Sequence, residues 1–154
     1  MAVSVTQERK AGPQQAGPQQ IGSCYVVYGN DVETLSFDWG NVKLLSSPAV
    51  AGGQTMTFGM VVLEPGKGHA RHNHPDADEI LFIISGEGEQ MLDDEAPVPI
   101  RPGAAIYVPR GMFHSTLNTG WEPLRFVIVY APAGTEKVLR ALPDVTIVPA
   151  GRLP

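Results

Sequence analysis

Glycine and proline break this chain at short intervals, occupying 17 and 14 of its 154 positions. Proline removes a backbone donor and clashes inside a helix, and glycine is costly to order there, so long helices are disfavoured. From Tyr25 onward the intervening stretches are short, rich in β-branched and aromatic residues, and bounded by Gly, Pro, Asn or Asp. Turn signals at about every 8–12 residues are the spacing of a β-sandwich or barrel. The pattern predicts strands over 25–27, 42–45, 55–63, 69–74, 79–84, 87–92, 104–108, 113–117 and 124–130. One short helix is expected over 136–142, ended by Pro143. The expected fold is therefore all-β, its strands closing into a barrel or a two-sheet jelly roll.

A chain of this length suits one domain with one ordinary core. Near its start stands a direct repeat, Ala11-Gly-Pro-Gln-Gln followed by Ala16-Gly-Pro-Gln-Gln, with no apolar side chain of any size to offset the entropy of ordering. Residues 1–20 are expected to form a disordered tail and residues 21–154 a single domain. The formal net charge of −5 lacks the broad positive field that nucleic acid or an anionic membrane would need. The longest apolar runs, Ile80 to Ile84 and Phe126 to Tyr130, fall far short of the roughly 20 residues of a spanning helix. Glu8, Arg9 and Lys10 interrupt any apolar leader, and the single cysteine, Cys24, cannot form an intrachain disulfide. These features predict a cytoplasmic protein with no nucleic-acid or membrane partner.

Three of the four histidines fall at informative spacings. His72 and His74 stand at i and i+2, so on a strand their rings leave one face, roughly 6.6 Å apart along the chain, and can converge on one cation. Glu79 follows a turn at Pro75-Asp-Ala-Asp and opens an apolar strand, so a hairpin can bring its carboxylate beside the pair. His114 lies 40 residues beyond His74, just after the turn at Pro109-Arg-Gly-Met. Three imidazoles and a carboxylate suit one borderline divalent ion such as Zn, Fe, Ni, Co or Mn. A His-x-His pair alone is more often two polar side chains on a solvated strand. His69 has the opposite parity and is expected beside the ligands rather than among them, unless a bulge near Gly66 and Gly68 reverses it. Leu81 shares the face of Glu79, and Met112 and Thr116 share that of His114, so these three are the expected pocket wall. Asn118 is expected close to the site, and the candidate general base is a metal-bound hydroxide or, if it leaves the metal, Glu79. Trp39 and Trp121 sit in turn-like contexts and are expected to pack or to anchor an interface.

The glycines add weight to the histidine cluster. One stretch runs Gly66, His72, His74, Glu79, Gly86, and a second runs Gly103, Pro109, Gly111, His114, Asn118, with 16 residues between Gly86 and Gly103. At these spacings the chain resembles the cupin superfamily at every defining position of its two signature motifs. The resemblance implies a cupin-type double-stranded β-helix, a jelly-roll barrel with one metal ion per chain held by His72, His74, Glu79 and His114. A closer likeness lies in Gly68-His-Ala-Arg-His-Asn-His-Pro, in Glu79-Ile-Leu-Phe-Ile-Ile-Ser-Gly-Glu-Gly-Glu-Gln and in Tyr107-Val-Pro-Arg-Gly-Met-Phe-His. These runs are similar to the single-domain cupins of bacterial aromatic polyketide pathways, those making tetracenomycin, resistomycin and spore pigments.

That likeness implies a role in the aldol-type cyclisation and aromatisation of a poly-β-ketone chain. The substrate would be small or carrier-bound, and the neighbours a ketosynthase and an acyl carrier protein. The expected inward side chains are mostly apolar, with no group of Lys or Arg, which argues against a sugar phosphate. Two alternatives stand beside this one: an iron-dependent dioxygenase of an apolar aromatic or diketone, and a ligand-binding cupin without catalysis. A jelly roll has free sheet edges that a second copy would cover, and related cupins are commonly dimeric, so a homodimer is expected.

Overall fold

The computed structural model describes residues 17–52 and 55–154. In chain order these form β1 (Gln19–Ile21), β2 (Cys24–Val26), a 3-10 turn (Gly29–Asp31), β3 (Thr34–Phe37), β4 (Gly40–Ser46), α1 (Pro48–Ala51), β5 (Thr57–Leu63) and β6 (Asp78–Ser85). There follow β7 (Gly88–Leu92), β8 (Val98–Ile100), β9 (Ala105–Val108), β10 (His114–Asn118), β11 (Leu124–Ala131), α2 (Lys137–Ala141) and β12 (Thr146–Val148). Seven strands make the larger sheet, ordered β12-β3-β4-β5-β11-β6-β9, and β10-β7-β8 makes a second. Among the described residues, β1 and β2 pair only with each other. The expected all-β fold and its short C-terminal helix are both present.

Alternation along the strands fills the interior in rows. Facing inward on β5, β11 and β6, the register aligns Val61 with Phe126 and Ile83, then Gly59 with Ile128 and Leu81. Phe126 and Ile83 are completely buried, and cutting Phe126 back to alanine is expected to cost about 3–5 kcal/mol. The next row is different: Thr57, Tyr130 and Glu79, all buried and all polar. The larger sheet is thus apolar through its middle and polar at one end.

The strand expected over 69–74 does not form as a regular strand. Residues 66–74 instead run beside β10 as an irregular edge, joined by bridges between Gly68 and Leu117 and between His72 and His114. Four steps of chain separate Gly68 from His72, but three separate His114 from Leu117, so one residue is bulged out. Gly68 permits the close approach, because a Cβ there would stand 2.3 Å from the Thr116 carbonyl oxygen. Strands β1, β3, β8 and β12 were not foreseen. Each has only three or four residues, and β8 carries Pro99, which is tolerated because β8 is the edge of its sheet.

Most of the tail expected over 1–20 lies outside the described residues. Its last part needs correcting: Gln19 and Gln20 belong to β1, where they pair with Val26 and Tyr25. The Gly17 N–H donates to Asp31 Oδ1 at 3.4 Å, which fixes the start of this hairpin against the 3-10 turn. Among the described residues no helix is long and apolar enough to cross a membrane.

Candidate metal centre and its cavity

The polar row of the larger sheet faces the irregular edge and β10, and the histidines meet there. His72 and His114 exchange both of their backbone hydrogen bonds, at 3.0 and 2.8 Å, and their ring centroids lie 4.3 Å apart. The His74 ring stands 4.9 Å from that of His72 and 5.1 Å from that of His114. Its carbonyl accepts from the Gly111 N–H at 2.8 Å, and the Asn73 amide donates to the Gly111 carbonyl at 3.1 Å. The turn before β10 is thereby stitched to the segment carrying His74. On its other side, Asp78 accepts from the Arg110 backbone and guanidinium at 3.0 and 3.1 Å, tying that turn to the strand position before Glu79.

The side-chain atoms are set up to receive a cation. His72 Nδ1 lies 2.9 Å from the Ala70 carbonyl, and His114 Nδ1 lies 3.1 Å from the Met112 carbonyl. A carbonyl only accepts, so each ring carries a proton on Nδ1 and turns Nε2 toward the cluster, where a cation would take it as a ligand. Glu79 Oε2 is 2.8 Å from His114 Nε2 and 3.2 Å from His74 Nε2. Despite those distances none of the three buried atoms makes a hydrogen bond of acceptable direction. Buried polar atoms left in that state cost on the order of 1–3 kcal/mol each. Ligand atoms of His72, His74 and His114 all lie within 4.8 Å of one another. Opposite ligands of a single ion would stand roughly 4.0–4.4 Å apart, so the three histidines could hold a metal ion with little adjustment.

Charge is distributed unequally across the cluster. Burial disfavours the charged form of Glu79, but His114 and His74 outweigh it and hold the carboxyl down at about 2. The same carboxylate raises His114 against the effect of burial. Burial, and next the His114 ring, lower His72. Held down by its two imidazole neighbours, the carboxylate is ionised across the neutral range. Tyr130 pairs with Glu79 across the β11–β6 ladder, and its ring is 4.9 Å from that of His74. Burial and then the Glu79 charge push its phenol well above the ordinary value, so it stays neutral.

A cavity of about 430 Å³ opens off the cluster. Trp39, Val42, Val61 and Ile128 wall it on the sheet side, and Val138, Leu139 and Leu142 wall it on the side of α2. His69, His72, His74, Glu79 and Tyr130 supply its polar end, and Thr135 and Asp144 also line it. None of the described lining residues is Lys or Arg. Arg140 of α2 donates to both oxygens of Glu33, at 2.8 and 3.0 Å, fastening the helix beside the cavity.

His72, His74, Glu79 and His114 are thus brought together, while several other expected residues are not where their strand parity put them. Leu81 is buried in the apolar rows, Thr116 donates to Gln90 Oε1 at 2.8 Å, and Met112 packs against the core; none of the three lines the cavity. The cavity lies over β4, β5 and β11, beside Val42, Val61 and Ile128, and under α2, so the side chains of Leu81, Met112 and Thr116 fall outside it. Asn118 is also misplaced, because it sits at the opposite end of β10 from His114. There its amide donates to the Leu63 and Glu122 carbonyls at 3.0 and 2.8 Å, a structural cross-link.

His69 lines the cavity, since the bulge reverses its parity. Its ring lies 5.6 Å from that of His72, and burial, then His72, push it down to about 3. Trp39, expected to pack or to anchor an interface, stacks on Phe37 at 4.4 Å and also lines the cavity, while Trp121 is exposed. Tyr130 was missed, although its alternation with Phe126 and Ile128 marks it as inward. The α2 wall was missed too, although Val138, Leu139 and Leu142 form one apolar stripe at helical spacing.

Residues 59–130 match the family described as Cupin domain. The chain is 33% identical to Protein SchB of Streptomyces halstedii, over 60% of this chain and 67% of that protein. It is 29% identical to Polyketide synthase CurC of Streptomyces cyaneus, over 60% of each. It is 40% identical to a glucose-6-phosphate isomerase of Thermococcus kodakarensis, over 51% of this chain and 49% of that protein. The matches span between about half and two thirds of these relatives' lengths. The solved structure of a predicted oxalate decarboxylase from Thermotoga maritima superposes with a TM-score of 0.62 at 25% identity, covering 70% of this chain and 98% of that one.

Proposed function

The chain belongs to the cupin domain family, and from that premise we propose that it is a metal-dependent cupin of aromatic polyketide biosynthesis, assisting aldol-type cyclisation and aromatisation of a poly-β-ketone chain. The observation that carries this is the cavity: apolar and aromatic walls, none of the described lining residues a Lys or Arg, and convergent ligand atoms at one end. The phosphate of a phosphorylated sugar would lose its hydration there with no Lys or Arg among the described lining residues to pair with it, at a cost of several kcal/mol. That sets this site apart from one suited to the substrate named for the isomerase relatives. A neutral, flat, carbonyl-rich chain fits the walls, and the relative named as a polyketide synthase points the same way.

A divalent ion held by His72, His74, His114 and Glu79 would supply Lewis acidity toward a carbonyl oxygen. The protein's own residues prepare the place. Glu79 stays ionised between two imidazoles, Tyr130 stays protonated on the facing strand, and the α2 side chains limit the access of water to a reactive carbon acid. In this proposal the substrate arrives from a ketosynthase and acyl carrier protein, and the protein works as a homodimer.

Metal analysis of aerobically purified protein, combined with oxygen uptake in the presence of benzoylacetone, tests the reaction class. One divalent ion per chain without oxygen uptake is expected. Stoichiometric iron with oxygen consumption would replace cyclisation by dioxygenation. Protein that binds the ketone but takes up no metal would be a ligand-binding cupin.

A further inference from the structure

His69 lies on the cavity wall outside the four ligand candidates. It reaches the cavity only because the extra residue between Gly68 and His72 turns it inward. Its ring stands edge-on to Trp39 at 4.9 Å and to His72 at 5.6 Å, with Phe126 at 6.2 Å. Nδ1 is buried and has no hydrogen-bond partner among the described residues. An orphaned buried N–H is the costlier and rarer state, so the proton resides on Nε2 and Nδ1 keeps a bare lone pair. The ring therefore brings a neutral N–H donor to the cavity at the edge of the histidine cluster, between His72 and Trp39. A phenyl ring would pack in the same place without leaving a polar atom unsatisfied.

We infer that His69 is a substrate-binding residue that reads a further oxygen of the substrate, a carbonyl or enol oxygen beyond those directed at the histidine cluster. The inference rests on the polyketide reading and narrows it. A diketone brings its two close oxygens to the cluster, and His69, one ring contact further on, recognises the third carbonyl. The preferred ligands are thus neutral compounds with at least three carbonyls in series.

Calorimetric titration of the metal-loaded protein tests this with benzoylacetone and its homologue extended by one acetyl unit to three carbonyls. The wild type is expected to bind the triketone more tightly, on the order of fivefold, the size of one neutral hydrogen bond. His69→Phe should equalise the two ketones while keeping one metal per chain and an unchanged or raised Tm. His69→Gln, which restores an N–H, should recover part of the preference. A wild type indifferent to the third carbonyl, or a preference surviving in His69→Phe, overturns the inference and leaves the proposed function standing. Loss of metal from both His69 variants would make His69 a ligand and also overturns it. Failure of the wild type to bind either ketone overturns both proposals.

Discussion

His72 and His114 donate their backbone N–H groups to each other's carbonyls, so the main chain itself sets two of the metal-ligand candidates side by side. Both rings are also oriented by carbonyls of their own chain segments, at Ala70 and Met112. The cluster is therefore built by backbone pairing before any ion arrives. His74, by contrast, is tied to the turn before β10 through its carbonyl and not its ring.

Substitution of His74 by alanine should leave those backbone ties intact. The expected outcome is loss of stoichiometric metal with an unchanged far-UV spectrum, read by elemental analysis and circular dichroism. A variant that still held one ion per chain at wild-type affinity would exclude His74 as a ligand.

Gly68→Ala should act on the fold and the site together. Its Cβ would press on the Thr116 carbonyl, and the forced shift is expected to cost on the order of 1–3 kcal/mol and to weaken metal binding by displacing the bulge. Wild-type stability by urea titration would show that the bulge tolerates a side chain.

Acid should destabilise the metal-free protein through His69. The folded chain holds this imidazole at about 3 against an ordinary 6.5, because burial disfavours its charge. Between those values the unfolded chain binds the proton and the folded chain does not. The contribution is thus complete above pH 6.5 and is lost as pH falls toward 3, with a slope of up to about 1.4 kcal/mol per pH unit. His69→Phe should flatten that slope, leaving the parts due to His72 and Glu79, which are also held below their ordinary values. An unchanged slope in the variant would mean that His69 takes up its proton in the folded chain.

The four ligand candidates were legible in the sequence because each lies at a fixed spacing from a glycine or proline that forces a turn. The core rows were legible because β5, β6 and β11 alternate strictly. The position of the cavity was not. Leu81, Met112 and Thr116 share faces with ligands, but parity gives a face and does not say that the cavity lies over β4, β5 and β11. His69 depended on a bulge whose existence is a matter of pairing between residues far apart in sequence. Asn118 lay at a motif position yet proved to bind two carbonyls at the far end of β10.

The homodimer proposed for this chain would draw on the outward face of β6. Ile80 and Phe82 are 44% and 42% exposed there, and Tyr107, the cross-strand neighbour of Ile80, is 60% exposed. Light scattering at micromolar concentration should give twice the chain mass, and Phe82→Lys should reduce it to one. A wild-type monomer under those conditions would contradict the dimer.

A minimal aromatic polyketide synthase, reconstituted with and without the metal-loaded protein, tests the central claim most directly. Poly-β-ketones cyclise spontaneously in water, so the effect should appear as a changed ratio of correctly cyclised to shunt products, and the His74→Ala variant should fail to produce it. A product ratio that the wild-type protein leaves unchanged would contradict the account.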